Sequence, residues 1–244
     1  YKLIKDAINY YREAAQSLKE TFLEDQSVRL RTKGVGVITK KEALELSAVG
    51  PTARSTGIAK DVRQDYPYEA YADLKVKAIT PDIYTHEKPK GDVYDATVVR
   101  VLEVEQSVNI LDAIIDNLPE GPIVTEPNLT KLLLKLKRAK GEGIGRAEAP
   151  RGEVIHYTRL EGTENLHAWR ARAPTYANVP TWIPMFRDQE IADIPVIAAS
   201  IDPCIACMDR VTLVDIKTKK ETIVTGEDLH RMSIEKTKKI RGAR

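Results

Sequence analysis

Residues Val93 to Leu118 carry the longest helix-compatible pattern in the sequence, with apolar side chains at 98, 101, 102, 108, 111 and 115 and a stop at Pro119, Gly121 and Pro122. Leu3, Ile4, Ala7, Ile8, Tyr11, Ala15, Leu18 and Phe22 predict a second helix over residues 2–24. Each helix has an apolar stripe and neither contains an apolar run of membrane length. The two are therefore expected to pack on each other and on further protein.

The other elements are shorter. Lys40 to Leu46 reads as a brief helix, Gly50, Pro51 and Gly57 mark a loop, and Asn128 to Lys140 is helical with Leu132, Leu133, Leu134 and Leu136 too clustered for a clean face. Glu153 to Leu160 and His167 to Ala173 alternate as a β-hairpin does, with its turn over Glu161 to Asn165. Residues 177–199 return to apolar, helical packing. Val211 to Ile216 with Glu221 to Val224 predict a closing hairpin, followed by a terminal helix from Glu227. No repeat or low-complexity linker interrupts the chain. The expected fold is α+β, mainly helical, as a single domain over 1–244 in which 211–244 form a C-terminal extension.

Composition removes several function classes. The 244 residues are 42% apolar and 30% charged, with a net charge of +2, which makes no case for nucleic acid. The basic tail Lys236 to Arg244 is read as a solvated end. The longest apolar stretch is broken by Asp193 and Asp202, so any membrane role has to come from partners. No signal peptide is visible, and two cysteines without a disulfide framework suit a reducing cytoplasm. Five Gln and six Asn against abundant Lys, Arg and Glu is a thermophile-like bias.

Those two cysteines, Cys204 and Cys207, form one C-x-x-C inside S-I-D-P-C-I-A-C-M-D-R-V-T-L-V-D, residues 200–215. Such a pair can be a redox dithiol, half of a zinc site or half of a tetrathiolate site. Asp202 puts a carboxylate two residues before Cys204, which disfavours a thiolate unless a cation is bound. His86, His156, His167 and His230 have no zinc-ligand spacing beside the pair. Spacing alone leaves a metal half-site and two structural cysteines equally open.

The whole string D-P-C-x-x-C-x-x-R followed by V-T-L-V-D resembles the C-terminal metal motif of nickel-iron hydrogenase large subunits. Arg210, where most such enzymes carry His, resembles their membrane-bound, energy-converting (group 4) branch, related to respiratory complex I. A-V-G-P-T-A-R-S-T-G (48–57), K-D-V-R-Q-D-Y-P-Y-E-A-Y (60–71), G-D-V-Y-D-A-T-V-V-R-V-L-E-V (91–104), G-E-G-I-G-R-A-E-A-P-R-G-E (141–153) and R-A-P-T-Y-A-N-V-P (172–180) resemble the same family in the same order. The fold implied is the C-terminal portion of a hydrogenase large subunit. Family members carry a second C-x-x-C near their start, and their nickel takes four thiolates, two bridging to iron. With no other cysteine and a start at Tyr1, this chain is expected to supply half of the ligands of a nickel-iron centre. The other half would come from an N-terminal part of the large subunit.

The resemblance assigns roles by position. Cys204 is implied as a nickel ligand able to relay a proton, and Cys207 as a thiolate bridging nickel and iron. Asp202 is implied near the open nickel position next to Arg151, whose cation polarises hydrogen. Pro150 sets the turn before Arg151, and Thr175 is implied as a hydrogen-bond partner of a diatomic ligand on iron. Glu148 is expected to pair with Arg146, while Arg54, Asp61, Arg63 and Asp65 form a charge lattice around a buried loop, with a coupling role open to it. His156 and His167 are read as structural.

Nickel-bearing large subunits are typically cut just after the Arg210 position, yet this chain continues for 34 residues. It is then either a precursor or a subunit of a complex that receives no nickel. The partners implied are an iron-sulfur small subunit similar to the complex I 20 kDa subunit, antiporter-like membrane subunits and ferredoxin, with the chain peripheral on the cytoplasmic face of the membrane. The alternative is a sulfane sulfur reductase or complex I-like relative without an intact nickel-iron centre. A third reading makes the chain a scaffold.

Overall fold

The helical periodicity at the start of the chain becomes α1 (Lys2–Lys19), which runs into a single π turn over Glu20–Glu24. The computed structural model describes residues 1–208, 210–215 and 217–242. They divide into two units, 1–201 and 202–244.

In the first unit α2 (Gln26–Thr32) begins where the Asp25 carboxylate accepts from the Ser27 and Val28 amides. α3 (Lys40–Glu45) opens on a capping box in which Thr39 and Glu42 satisfy each other's backbone amides. The Gly50–Gly57 segment, expected as a loop, contains α4 (Gly50–Arg54), because Pro51 presets the first helical turn. α5 (Val62–Asp65), α6 (Tyr71–Leu74) and α7 (Asp82–Thr85) are single turns. They lead to α8 (Val93–Asp116), which Asp92 caps by accepting from the Asp95 amide.

α8 departs from the stripe expected of it. Val93, Tyr94, Asp95, Ala96, Val98, Val99 and Val101 are buried, with Thr97 and Arg100 half-buried between them, so the first turns are covered around most of their circumference, and exposed positions begin at Val104. α1 packs along it as expected, burying Ile8 and Ala15. Lys5 pairs with Asp112 and Asp116, Arg12 with Asp112, and Lys19 with Glu105 along that contact. The Tyr94 hydroxyl donates to the Leu23 carbonyl at 3.0 Å, tying the π turn to the same helix. A second core gathers Ile38, Ala43, Val93, Met185, Ile197 and Ile201.

α9 (Leu129–Arg138) precedes an antiparallel sheet ordered β1 (Lys140–Ala149), β2 (Gly152–Glu161) and β3 (Ala168–Arg172). The β2–β3 hairpin matches the predicted one. β1 is an addition, its register running from Lys140 opposite Glu161 to Ala149 opposite Gly152. Gly141, Gly143 and Gly145 lower its intrinsic strand preference, and pairing with β2 supplies what local sequence does not. Residues 177–199, expected to be helical, fall in α10 (Pro174–Asn178), a 3₁₀ turn over Val179–Thr181, α11 (Trp182–Met185) and α12 (Ile194–Ser200). Pro180, Pro184 and Pro195 deny the amide donors that a continuous helix would need.

In the second unit a 3₁₀ turn over Ile205–Met208 leads to the predicted hairpin, β4 (Arg210–Val214) against β5 (Glu221–Thr225), and to the terminal helix α13 (Gly226–Gly242). Ile216, the last residue of the predicted strand, lies outside the described residues, as do Asp209 of the cysteine motif and Ala243 and Arg244 of the basic tail. Among the described residues no helix is long and apolar enough to cross a membrane.

Candidate functional site

The A-P-R-G segment forms the two-residue turn between β1 and β2, with Pro150 and Arg151 at its tip. Gly152, at a φ of +123°, lies against the start of α4, where Gly50 has a φ of +62°. A Cβ on Gly50 would stand 2.3 Å from the Gly152 Cα, so only two glycines permit this approach. The buried side chain of Asn178 completes the joint. Its oxygen accepts from the Val49 amide at 2.9 Å and its nitrogen donates to the Arg151 carbonyl at 3.2 Å.

Thr175 lies one turn before Asn178 on α10 and is 1% exposed. Pro150, Arg151 and Thr175 are thus brought to one corner of the first unit, held by the Asn178 amide and the paired glycines.

Beneath the turn lies a buried ionic lattice. Arg54, itself 1% exposed, donates from Nε to Glu103 at 2.6 Å and from Nη1 to Glu148 at 2.9 Å and to the Lys60 carbonyl at 2.8 Å. Asp61 sits 3.7 Å from the same guanidinium and receives both Nε and Nη2 of Arg63, at 3.0 and 2.7 Å. The second oxygen of Glu148 accepts from the Val62 amide at 3.0 Å. Burial opposes every charge here, and its balance with the neighbours differs. Arg54 stays above its ordinary pKa because Glu103, Glu148 and Asp61 outweigh desolvation. Asp61 is likewise desolvated but is held below the ordinary range by Arg63 and Arg54. For Glu103 and Glu148 desolvation prevails and both pKa values rise.

The expected pairing of Glu148 with Arg146 is corrected. Glu148 turns toward Arg54, while Arg146 stacks over the Tyr66 ring with 3.7 Å to its centroid and pairs with Glu153 at 3.6 Å. Asp65, expected in the lattice, only accepts from the Asp61 and Gln64 nitrogens at its margin. His156 accepts from the Trp169 indole at 3.1 Å, a structural contact of the sheet.

Sequence reasoning passed over Asn178, Glu103 and Arg100. The last two stand three residues apart on α8, amid Val98, Val99, Val101 and Leu102. Charges inside such an apolar helical run are the signal that would have found them. Arg100 donates from Nε and Nη2 to the Ser200 carbonyl, at 3.3 and 3.1 Å, and so secures the last turn of α12.

The cysteines belong to the second unit. The Cys204 carbonyl accepts from the amides of Cys207 and Met208 at 3.1 and 3.3 Å, so one turn carries both half-buried thiols, which no disulfide joins. Asp202 holds a left-handed backbone, φ +53°, immediately before Pro203, a conformation Asp tolerates better than most residues. Arg210 begins β4. Among the described residues no set of three or more His, Cys, Asp and Glu could hold a metal ion. The donors this chain offers are two thiols one turn apart, which suits a soft, thiolate-bound transition metal completed by further ligands.

The family described as "Respiratory-chain NADH dehydrogenase, 49 Kd subunit" matches residues 1–210. The chain is 45% identical over 241 residues to the membrane-bound hydrogenase subunit alpha of Pyrococcus furiosus, covering 98% of this chain and 56% of that protein. It is 35% identical to formate hydrogenlyase subunit 5 of Escherichia coli, over 96% of this chain and 40% of that one. It is 34% identical to an NADH-quinone oxidoreductase subunit of Dehalococcoides mccartyi, over 86% and 53%. The chain thus spans about half the length of these curated relatives. Its fold matches a chain of the membrane-bound sulfane sulfur reductase, an archaeal respiratory membrane complex, with a TM-score of 0.72 and 29% identity over 83% of this chain and 53% of that one. The chain therefore belongs to the family of the 49 kDa subunit of the respiratory-chain NADH dehydrogenase, a family of oxidoreductase subunits that shares its fold with hydrogenase large subunits.

Proposed function

We propose that this chain forms the C-terminal part of the catalytic large subunit of a membrane-bound, energy-converting nickel-iron hydrogenase. In this reading electrons pass from ferredoxin through iron-sulfur clusters of a small subunit, protons are reduced to H2, and antiporter-like membrane subunits translocate ions. The chain is peripheral, on the cytoplasmic face, and the rest of the large subunit supplies the other ligands. The supporting observation is the D-P-C-x-x-C motif with both thiols on one turn, in a chain 45% identical to a membrane-bound hydrogenase subunit alpha.

When bound, the nickel-iron centre supplies the redox-active metal at which protons and hydrogen interconvert. Cys204 and Cys207 would hold it, and the Cys204 sulfur would be the group able to take and return a proton. Arg151 places a fixed cation beside the reacting atoms, where it stabilises developing charge without reorganising. Asp202 would supply a carboxylate near the open coordination position, and Thr175 would offer its hydroxyl to a ligand of the metal. Pro150 and Gly152 keep the Arg151 turn rigid.

The fold match to a sulfane sulfur reductase favours a second reading, a hydrogenase-derived subunit without an intact nickel-iron centre. One experiment separates the two. The intact complex is assayed with reduced ferredoxin for H2 and for sulfide from polysulfide, and its nickel is quantified. H2 evolution with about one nickel per large subunit, both lost in Cys207→Ser, is the expected result. Sulfide production without nickel overturns it in favour of the second reading.

A further inference from the structure

The ionic lattice under the Arg151 turn sets two guanidiniums, Arg54 and Arg63, against three carboxylates, Asp61, Glu103 and Glu148. The arginines are not divided evenly. Arg63 is committed to Asp61 through two hydrogen bonds, which leaves the single guanidinium of Arg54 between Glu103 and Glu148. Their side chains are 14% and 4% exposed, and an uncompensated charge in such a place is costly. A proton removes it at the least cost.

Both glutamates, Arg54 and Arg63 line one cavity of about 540 Å³. Tyr11 of α1 and Ser107 and Leu111 of α8 form another part of its wall, and Ala149 and Pro150 border it beside the turn that carries Arg151. We propose that Glu103 and Glu148 share one exchangeable proton across Arg54 and form a proton-holding site between this cavity and the Arg151 turn. The role assigned to the site rests on the hydrogenase reading above, whereas the shared proton does not. In each cycle one proton leaves the pair toward the turn and one enters from cavity water, so the charge of the pair returns to its starting value.

Other ionisable groups nearby do not replace that proton. Arg100, one turn before Glu103 on α8, lines the cavity and directs its guanidinium to the Ser200 carbonyl. Asp65 hydrogen-bonds the Asp61 amide, Tyr68 interacts with the Glu148 backbone, and the Tyr11 phenol faces the cavity from α1. Burial also raises the pKa values of both glutamates, in agreement with the geometry.

Infrared difference spectra of the 244-residue chain in H2O and D2O test the shared proton directly. A protonated-carboxyl band should persist at pH values above the ordinary glutamate range. It should vanish in Glu103→Gln and in Glu148→Gln, because either change leaves one carboxylate for Arg54. It should survive in Asp95→Asn, which removes a further carboxyl whose pKa burial raises. Absence of the band in the wild-type chain, or its survival in both glutamine variants, overturns the proposal without any variant having to be active.

The second arm uses the intact complex. Glu103→Gln should slow H2 evolution by about 100-fold, as loss of a positioned proton-transfer group does. Its pH profile should lose the limb that titrates with the band, and metal content should stay unchanged. Wild-type turnover and pH profile in that variant overturn the relay. A wild-type complex that evolves no H2 while the band is present removes the hydrogenase reading and the relay, and upholds the shared proton.

Discussion

The Asn178 carboxamide donates to the Arg151 carbonyl at 3.2 Å while accepting from the Val49 amide, so one buried side chain sets the distance between α4 and the β1–β2 turn. Asn178→Ala leaves a buried donor and a buried acceptor without this partner. That costs about 1–3 kcal/mol, or roughly 2–12 °C in Tm for a chain of this size. Thermal unfolding checks it, and an unchanged Tm would show that the joint holds without the amide.

The paired glycines allow a sharper contrast. A Cβ on Gly152 would stand 2.7 Å from the Gly50 nitrogen at a backbone φ of +123°, whereas one on Gly143 would meet nothing within 4 Å. Gly152→Ala is expected to yield little soluble protein or a strongly lowered urea midpoint, and Gly143→Ala a midpoint near or above wild type. Equal midpoints for the two variants would refute the close approach.

Arg54 links three elements through Glu103, Glu148 and Asp61. Removing one partner of a buried ion pair costs about 3–5 kcal/mol, so Arg54→Met should be destabilised on that scale in urea titrations. The lattice also predicts a pH dependence with two opposite parts. Asp61 has a depressed folded pKa, so its contribution is present above its ordinary value of 3.8 and is lost as the pH falls through the folded pKa. Glu103 and Glu148 have raised folded pKa values, so their contribution declines as the pH rises from 4.5 through those values. Stability measured against pH should therefore fall less steeply above 4.5 in Glu148→Gln than in wild type.

Arg151→Lys tests the proposed site. The ammonium keeps the charge but not the planar fork. Loss of one such preorganised group costs about 100-fold to 1000-fold in rate. The variant complex should show that drop in H2 evolution at unchanged metal content, and near-wild-type turnover would make Arg151 a structural residue.

In the proposed centre Cys204 and Cys207 are two donors, half of a four-thiolate set. The isolated 244-residue chain should retain no stoichiometric nickel after dialysis. Nickel retained by this chain alone, and lost in Cys204→Ser, would contradict the half-site.

The features legible in the sequence are those that local chemistry settles. The 3.6-residue apolar period of α1, the Pro and Gly residues that stop α8, the alternation of β2 and β3 and the C-x-x-C turn each depend on residues within a few positions of one another. Long matching motifs likewise pointed to the family. Tertiary structure decided the rest, because it depends on groups far apart in the chain. β1 is a strand through its ladder to β2, despite three glycines that local preference counts against it. Glu148 faces Arg54, 94 residues away, rather than its near neighbour Arg146. A carboxylate's partner and pKa are set by burial and by which charges the fold brings within reach, and neither quantity is written in the spacing of residues along one strand.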